Sequence, residues 1–220
     1  MSYSLVLVIV LSLTAVGAGI GFANYRSTPK HVRPIIFYLA YIFIGEVANY
    51  IMAKYLKNNM PGYHIGIPIE LLILMLFFYR NIDNEKIYRF IPGITVILIF
   101  SSIINTLFFQ PLKTLPDNIS TVFPIIIIVF TAYLFFEKLE TNGQEDIFKD
   151  PAFLATIALL WFNIISFLFF LFYPFLTRQK ISTVAISKIH YISNIVFYLI
   201  LFYAMIVNFN SKKHVTKLYK

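Results

Sequence analysis

Residues Tyr63–Tyr79, YHIGIPIELLILMLFFY, decide how the chain reads. They form an apolar run close to the ~20 residues that a helix needs to cross a ~30 Å hydrocarbon core. Within that run sits one carboxylate, Glu70. An ionisable group at such depth is costly, so it faces a bundle interior and marks a site by default.

Composition agrees with a lipid solvent. The chain of 220 residues is 59% hydrophobic and 13% charged, whereas a water-soluble domain is about half apolar and about a quarter charged. The net charge of +8 is spread over the gaps between apolar runs and the C-terminus, which is not a nucleic-acid footprint. With no cysteine, thiolate chemistry, disulfides and cysteine metal sites are excluded. The longest polar interval, Glu137–Asp150, leaves no room for a soluble domain, so catalytic output of a kinase type must come from another chain.

Six further stretches match the first. They are Tyr3–Asn24, Pro34–Ala53, Phe90–Phe109, Asn118–Phe136, Pro151–Tyr173 and Lys188–Phe209. The expected architecture is all-α: a seven-helix transmembrane bundle over residues 1–210, followed by a basic tail, 211–220. The leading Met-Ser-Tyr-Ser lacks the basic residues of a signal peptide, so the first stretch reads as a retained span. Its Ala15, Gly17, Ala18 and Gly19 read as places where another helix approaches closely. Of the 18 Lys and Arg, twelve fall on the side of the C-terminus and six on the other. The positive-inside rule then places the N-terminus outside and the C-terminus in the cytoplasm. The third and seventh stretches share a His at the same end, too little to establish a duplication.

Depth separates two layers. At 1.5 Å rise per residue, Glu70 lies about 10 Å below the outer end of its span, Glu46 about 11 Å, Asn194 about 9 Å, Asn49 about 6 Å and Asn163 about 15 Å. His64 and His190 fall within about one turn of the outer edge, beside Tyr63. Below these residues the spans read LLILMLFFY and IVFYLILFYAMIV. The expected site is an outward-facing polar pocket of Glu46, Asn49, Tyr63, His64, Glu70, Asn163, His190 and Asn194. Glu46 and Asn49 share a helix face, as do His190 and Asn194. No Lys or Arg lies deep in any span to pair with either Glu. The acids are therefore neutral hydrogen-bonding partners between helices, or they await a His, a metal or a ligand cation. The His and Glu pairs are zinc-ligand types, but HExxH and any tight ligand pair on one helix are missing, so no metal or cofactor is expected. A serine-hydrolase elbow is missing too. The seventh span has no lysine for a retinal Schiff base, and neither Asp-Arg-Tyr, Asn-Pro-x-x-Tyr nor Pro-Gln occurs.

The strings YHIGIPIELLIL (63–74), WFN (161–163) and KIHYISNIVFYLIL (188–201) carry a resemblance. They are similar to a group of small seven-transmembrane proteins of Bacteroidota, often encoded beside sensor histidine kinases. Tyr63, Pro68, Glu70, Asn163, His190 and Asn194 match its short motifs. The resemblance implies a multi-pass place in the bacterial inner membrane, a sensory role and a histidine kinase or similar cytoplasmic partner. The expected function is thus a receptor-like membrane protein, not an enzyme, that binds a small molecule or lipid. A proton-coupled transporter using Glu46 and Glu70 is the alternative, and an intramembrane metal hydrolase a more distant one. The basic tail, Lys212–Lys220, reads as an anchor on anionic lipid.

Overall fold

The computed structural model describes residues 3–141 and 147–218. The long helices are α1 (Tyr3–Ala23), α2 (Arg33–Tyr55), α3 (Met60–Asn81), α5 (Ile91–Ile104), α6 (Asp117–Thr141), α7 (Pro151–Arg178) and α8 (Val184–Leu218). A single turn, α4 (Glu85–Tyr88), precedes α5, and a π-helical turn, Asn105–Phe109, prolongs it. Seven helices are long and apolar enough to cross a membrane, and no strand occurs among the described residues.

Local chemistry sets the helix ends. Pro34, Pro61, Pro92 and Pro151 open α2, α3, α5 and α7, where a missing N–H costs nothing. The Asp150 carboxylate caps α7 by accepting from the Ala152 N–H, and it also pairs with Lys138 at 3.1 Å. At the far ends of α2 and α7 the chain turns through left-handed lysines, Lys57 and Lys180, each at φ 56°. Glycine is the residue that occupies this position without steric cost. Lys57→Gly and Lys180→Gly are each expected to raise stability by about 1 kcal/mol, read by thermal unfolding.

Six of the long helices form a closed ring. Contacts run α1–α2–α3–α6–α7–α8 and back from α8 to α1, while α5 packs against α3 from outside. The loops 56–59, 110–116 and 179–183 lie at one face, which we call the N-terminal face because α1 begins there. Residues 24–32, 82–84 and 147–150 lie at the opposite, C-terminal face.

The two halves of the ring differ in packing. Toward the C-terminal face α2 buries Ile35, Ile36, Tyr38 and Leu39, and α3 buries Leu71, Leu74, Met75, Phe77 and Phe78. Toward the N-terminal face, His64 is the one fully buried side chain of α3, and α2 has none. This face is therefore the looser half, and the cavities described below open in it.

The C-terminal face is not dry throughout, as the apolar runs suggested. The α1–α2 loop plugs it. Asn208 of α8 donates to the buried Thr28 hydroxyl at 3.0 Å, Asn81 of α3 donates to the His31 carbonyl at 2.9 Å, and Arg80 donates to the Lys30 carbonyl at 2.8 Å. Glu137 accepts from the Asp83 and Asn84 backbone. These polar groups bind one another and the loop. Burial, followed by the charge of Lys138, holds the His31 imidazole below its ordinary value of 6.5, while Asp150 and Asp83 act the other way. A histidine that binds fewer protons folded than unfolded leaves stability intact above 6.5 and erodes it as pH falls toward the lowered value. Thermal unfolding is therefore expected at lower temperature at about pH 5.5 than at about pH 7.5, with the difference reduced in His31→Gln.

α8 runs unbroken through residues read as a separate tail and reaches Leu218. At 1.5 Å per residue its 35 residues extend about 52 Å, longer than a ~30 Å hydrocarbon core requires. The tail's side chains, and Tyr219 and Lys220 entirely, lie outside the described residues.

Candidate functional site

Five helices line one cavity in the looser half. α2 contributes Ile42 and Glu46, and α3 contributes Tyr63, Ile67 and Glu70. α6 adds Ser120, Phe123 and Pro124, α7 adds Phe162, Asn163, Ser166 and Phe170, and α8 adds His190, Asn194 and Tyr198. Each set follows the three-and-four spacing that puts side chains on one helix face. The cavity measures about 180 Å³. A second cavity of about 100 Å³ adjoins it between α2 and α3 and shares Ile42, Glu46, Tyr63, Ile67 and Glu70.

Six of the eight residues singled out from sequence thus meet in the larger cavity: Glu46, Tyr63, Glu70, Asn163, His190 and Asn194. Asn49 lines the smaller one, against Gly62. His64 stands apart. Its ring is buried, with Nε2 donating to the Thr114 carbonyl at 2.9 Å and Nδ1 2.9 Å from the Thr106 hydroxyl. It ties α3 to the end of α5 and the following loop. A helix step of one residue turns a side chain by about 100°, so Tyr63 reaches the cavity and His64 does not. The four-residue zinc set is therefore not assembled. Among the described residues no three His, Asp or Glu gather closely enough to hold a metal ion.

The helices begin and end beyond the apolar runs, so distances measured from the helix ends are longer than those from the ends of the runs, by about one turn for Glu70 and Asn194 and about half a turn for Glu46. Glu70 is ten residues from the start of α3 at Met60, and Asn194 ten from the start of α8 at Val184, about 15 Å in each case. Glu46 is nine residues from the end of α2, about 14 Å.

Hydrogen bonding is uneven. The Tyr38 hydroxyl donates to Glu70 Oε1 at 2.8 Å, and the Tyr41 hydroxyl donates to the Gly66 carbonyl at 2.7 Å. Asn163 Nδ2 donates to the Leu159 carbonyl at 2.8 Å, and His190 Nε2 lies 3.3 Å from the Ser166 hydroxyl. The His190 ring stacks on Phe169 at 4.4 Å. Asn194 Oδ1 is buried with no partner. Pro124 has no N–H to offer the Ser120 carbonyl one turn earlier. No Lys or Arg lines either cavity.

Beneath the polar groups lies an aromatic floor. Phe197 is fully buried, stacks on Phe162 at 4.6 Å and meets the edge of Tyr38 at 5.9 Å. A continuous path therefore joins Glu70, Tyr38, Phe197 and Phe162 across α3, α2, α8 and α7.

Sequence reading passed over Tyr38 and Tyr41, and left Ser166 out of the site. It also passed over Gly62 and Gly66, whose GxxxG spacing was the available signal. These glycines admit Asn49 and the Tyr41 hydroxyl against the α3 backbone. The chain matches no protein-family model, no curated protein and no solved structure.

Proposed function

We propose that this is a multi-pass protein of the bacterial inner membrane, with its N-terminal face outside. It binds a small molecule or lipid in the five-helix cavity and signals to a separate cytoplasmic partner such as a histidine kinase. One observation carries the reading: polar side chains from five helices line a cavity in one half of the six-helix ring, while the space in the other half, between α3 and α5, is lined by apolar side chains and Thr95. That asymmetry suits a receptor, in which a ligand enters from one side and only helix positions carry the message. A transporter needs polar access to both faces. Here the C-terminal half presents Leu74, Met75, Phe77 and Phe78, and beyond them the loop plug.

The aromatic floor supplies a route for coupling. A ligand that engages Glu70 competes with Tyr38, and Tyr38 rests on Phe197 of α8. Any change at the carboxylate then shifts packing between α2, α3 and α8, whose continuations form the C-terminal face.

The test is ligand-induced thermal stabilisation of the full chain in lipid nanodiscs, screened with small polar and amphiphilic compounds. A compound that raises the melting temperature of the native chain is expected to lose that effect in Glu70→Gln and in His190→Ala. It should keep the effect in His64→Ala, whose ring faces away from the cavity. Normal stabilisation in both cavity variants removes the pocket assignment. Substrate flux in proteoliposomes that collapses in Glu70→Gln replaces the receptor with a transporter. Orientation is measurable directly because the native chain has no cysteine. A Lys57→Cys label should be accessible from outside in intact cells, and a Lys86→Cys label only after permeabilisation.

A further inference from the structure

We infer that the cavity takes an organic monocation, an ammonium group carried on a small aromatic or aliphatic body. The inference rests on the ligand-binding reading above and names its ligand class.

Charge comes first. Glu46 and Glu70 each line both cavities and so face the junction between them. No cationic side chain lines either space, and the His190 ring is engaged by Ser166 and stacked on Phe169. An anionic ligand would meet two carboxylates with nothing to offset them. A ligand ammonium supplies the positive partner that the protein itself withholds.

The hydrogen-bond inventory points the same way. Tyr38 spends its single hydroxyl hydrogen on Glu70 Oε1, and Glu70 lines both cavities. Asn194 Oδ1 is a buried acceptor without a donor, and the Ser120 carbonyl lacks its helical one. These carboxylate and carbonyl oxygens are acceptors that a donor-bearing ligand group satisfies. An ammonium group carries up to three donors and no acceptor.

Shape and lining define the body. Phe123, Phe162 and Phe170 offer apolar faces, and aromatic rings also attract a desolvated cation. A cavity of about 150 Å³ admits benzene, so about 180 Å³ holds one ring or a short alkyl chain. The ammonium arm then reaches the junction where the carboxylates converge.

The probes are 2-phenylethylamine, its neutral analogue 2-phenylethanol and the anion phenylacetate, each titrated into the full chain in neutral-lipid nanodiscs. Binding is read by calorimetry and by the shift in melting temperature. The amine is expected to bind and to stabilise, and the alcohol and the acid to do neither. Glu46→Gln and Glu70→Gln should each weaken amine binding about tenfold or more, since each removes a charged hydrogen-bond partner. Their own melting temperatures without probe report that the bundle is intact. If the alcohol or the acid binds instead, and His190→Ala abolishes it, the pocket stands and the cation inference is overturned. Amine binding that persists unchanged in the Glu46→Gln/Glu70→Gln double variant reflects partition into the bilayer and also overturns it. If none of the three probes binds, the inference fails, and the pocket reading is then decided by the wider screen.

Discussion

Phe197→Ala is expected to cost about 3 kcal/mol of stability and to deepen the candidate binding cavity. Phe197 has no exposed surface and is held between Phe162 and Tyr38. Truncating a buried Phe to Ala costs about 3–5 kcal/mol in water-soluble proteins. Part of that is transfer from water, a contribution that shrinks when the alternative environment is lipid. The lost packing and the void remain, which places the effect at the low end of the range. The variant has a second consequence that a simple core residue would lack. Without the ring, Tyr38 loses the surface that aims its hydroxyl at Glu70. Binding of any cavity ligand should change along with stability, and larger probes should be accepted. Reversible unfolding in mixed micelles measures the first effect, and titration with a homologous series of probes measures the second. A variant as stable as the native chain, with unaltered size preference, would show that the floor is not a packed element.

Gly21→Ala is expected to destabilise the bundle by about 1–3 kcal/mol, against its own helix propensity. Alanine is the better helix former by about 1 kcal/mol, so the substitution should help if α1 were free. It is not free. A Cβ on Gly21 would sit 2.7 and 2.8 Å from the two γ carbons of Ile36 and 3.2 Å from its Cβ. Ile36 is fully buried and, being β-branched, has little rotameric freedom with which to yield. α1 must then move off α2. Gly19 is the internal control, because nothing lies within 4 Å of a Cβ there. Gly19→Ala should be neutral or stabilising by up to about 1 kcal/mol. Adding Ile36→Ala to Gly21→Ala should recover part of the loss, a favourable coupling in a double-mutant cycle. Equal stability of the two glycine variants would mean that α1 and α2 are not in close contact.

These two positions also show what could be read from the chain alone. All seven long helices announced themselves, because an apolar run of that length has few other uses. The small residues of the first run were read as a close-approach surface. Gly17, against Leu39 and Phe202, serves that purpose, whereas Gly19 faces open space. Telling one from the other requires the rotation of the helix, and a helix apolar on all sides gives no periodicity from which to infer it. The same gap separated His64 from His190. Both sit near one end of their spans, but only His190 turns into the cavity. Glu46, Glu70, Asn163 and Asn194 were legible because exposing them to lipid is costly on any rotation. Tyr38 and Tyr41 were not, because a tyrosine counts as apolar until its hydroxyl finds a partner. Helix ends were drawn too tightly as well. Lys188 looked like a boundary, but α8 begins at Val184, since polar residues extend a helix once it leaves the apolar layer.

The ring closes through the first and eighth helices, and the hydrogen bond from Asn208 to Thr28 joins residues 180 positions apart. Contacts that distant in the chain form late and slowly. During biosynthesis α2 can cover Gly21 at once, but the side of α1 that meets Phe202 beside Gly17 must wait until α8 arrives. In that interval the uncovered side of α1 is open to the wrong neighbour, including the α1 of another nascent chain. The time before α8 docks, more than the finished assembly, is where a lesion on this side of α1 should first be felt.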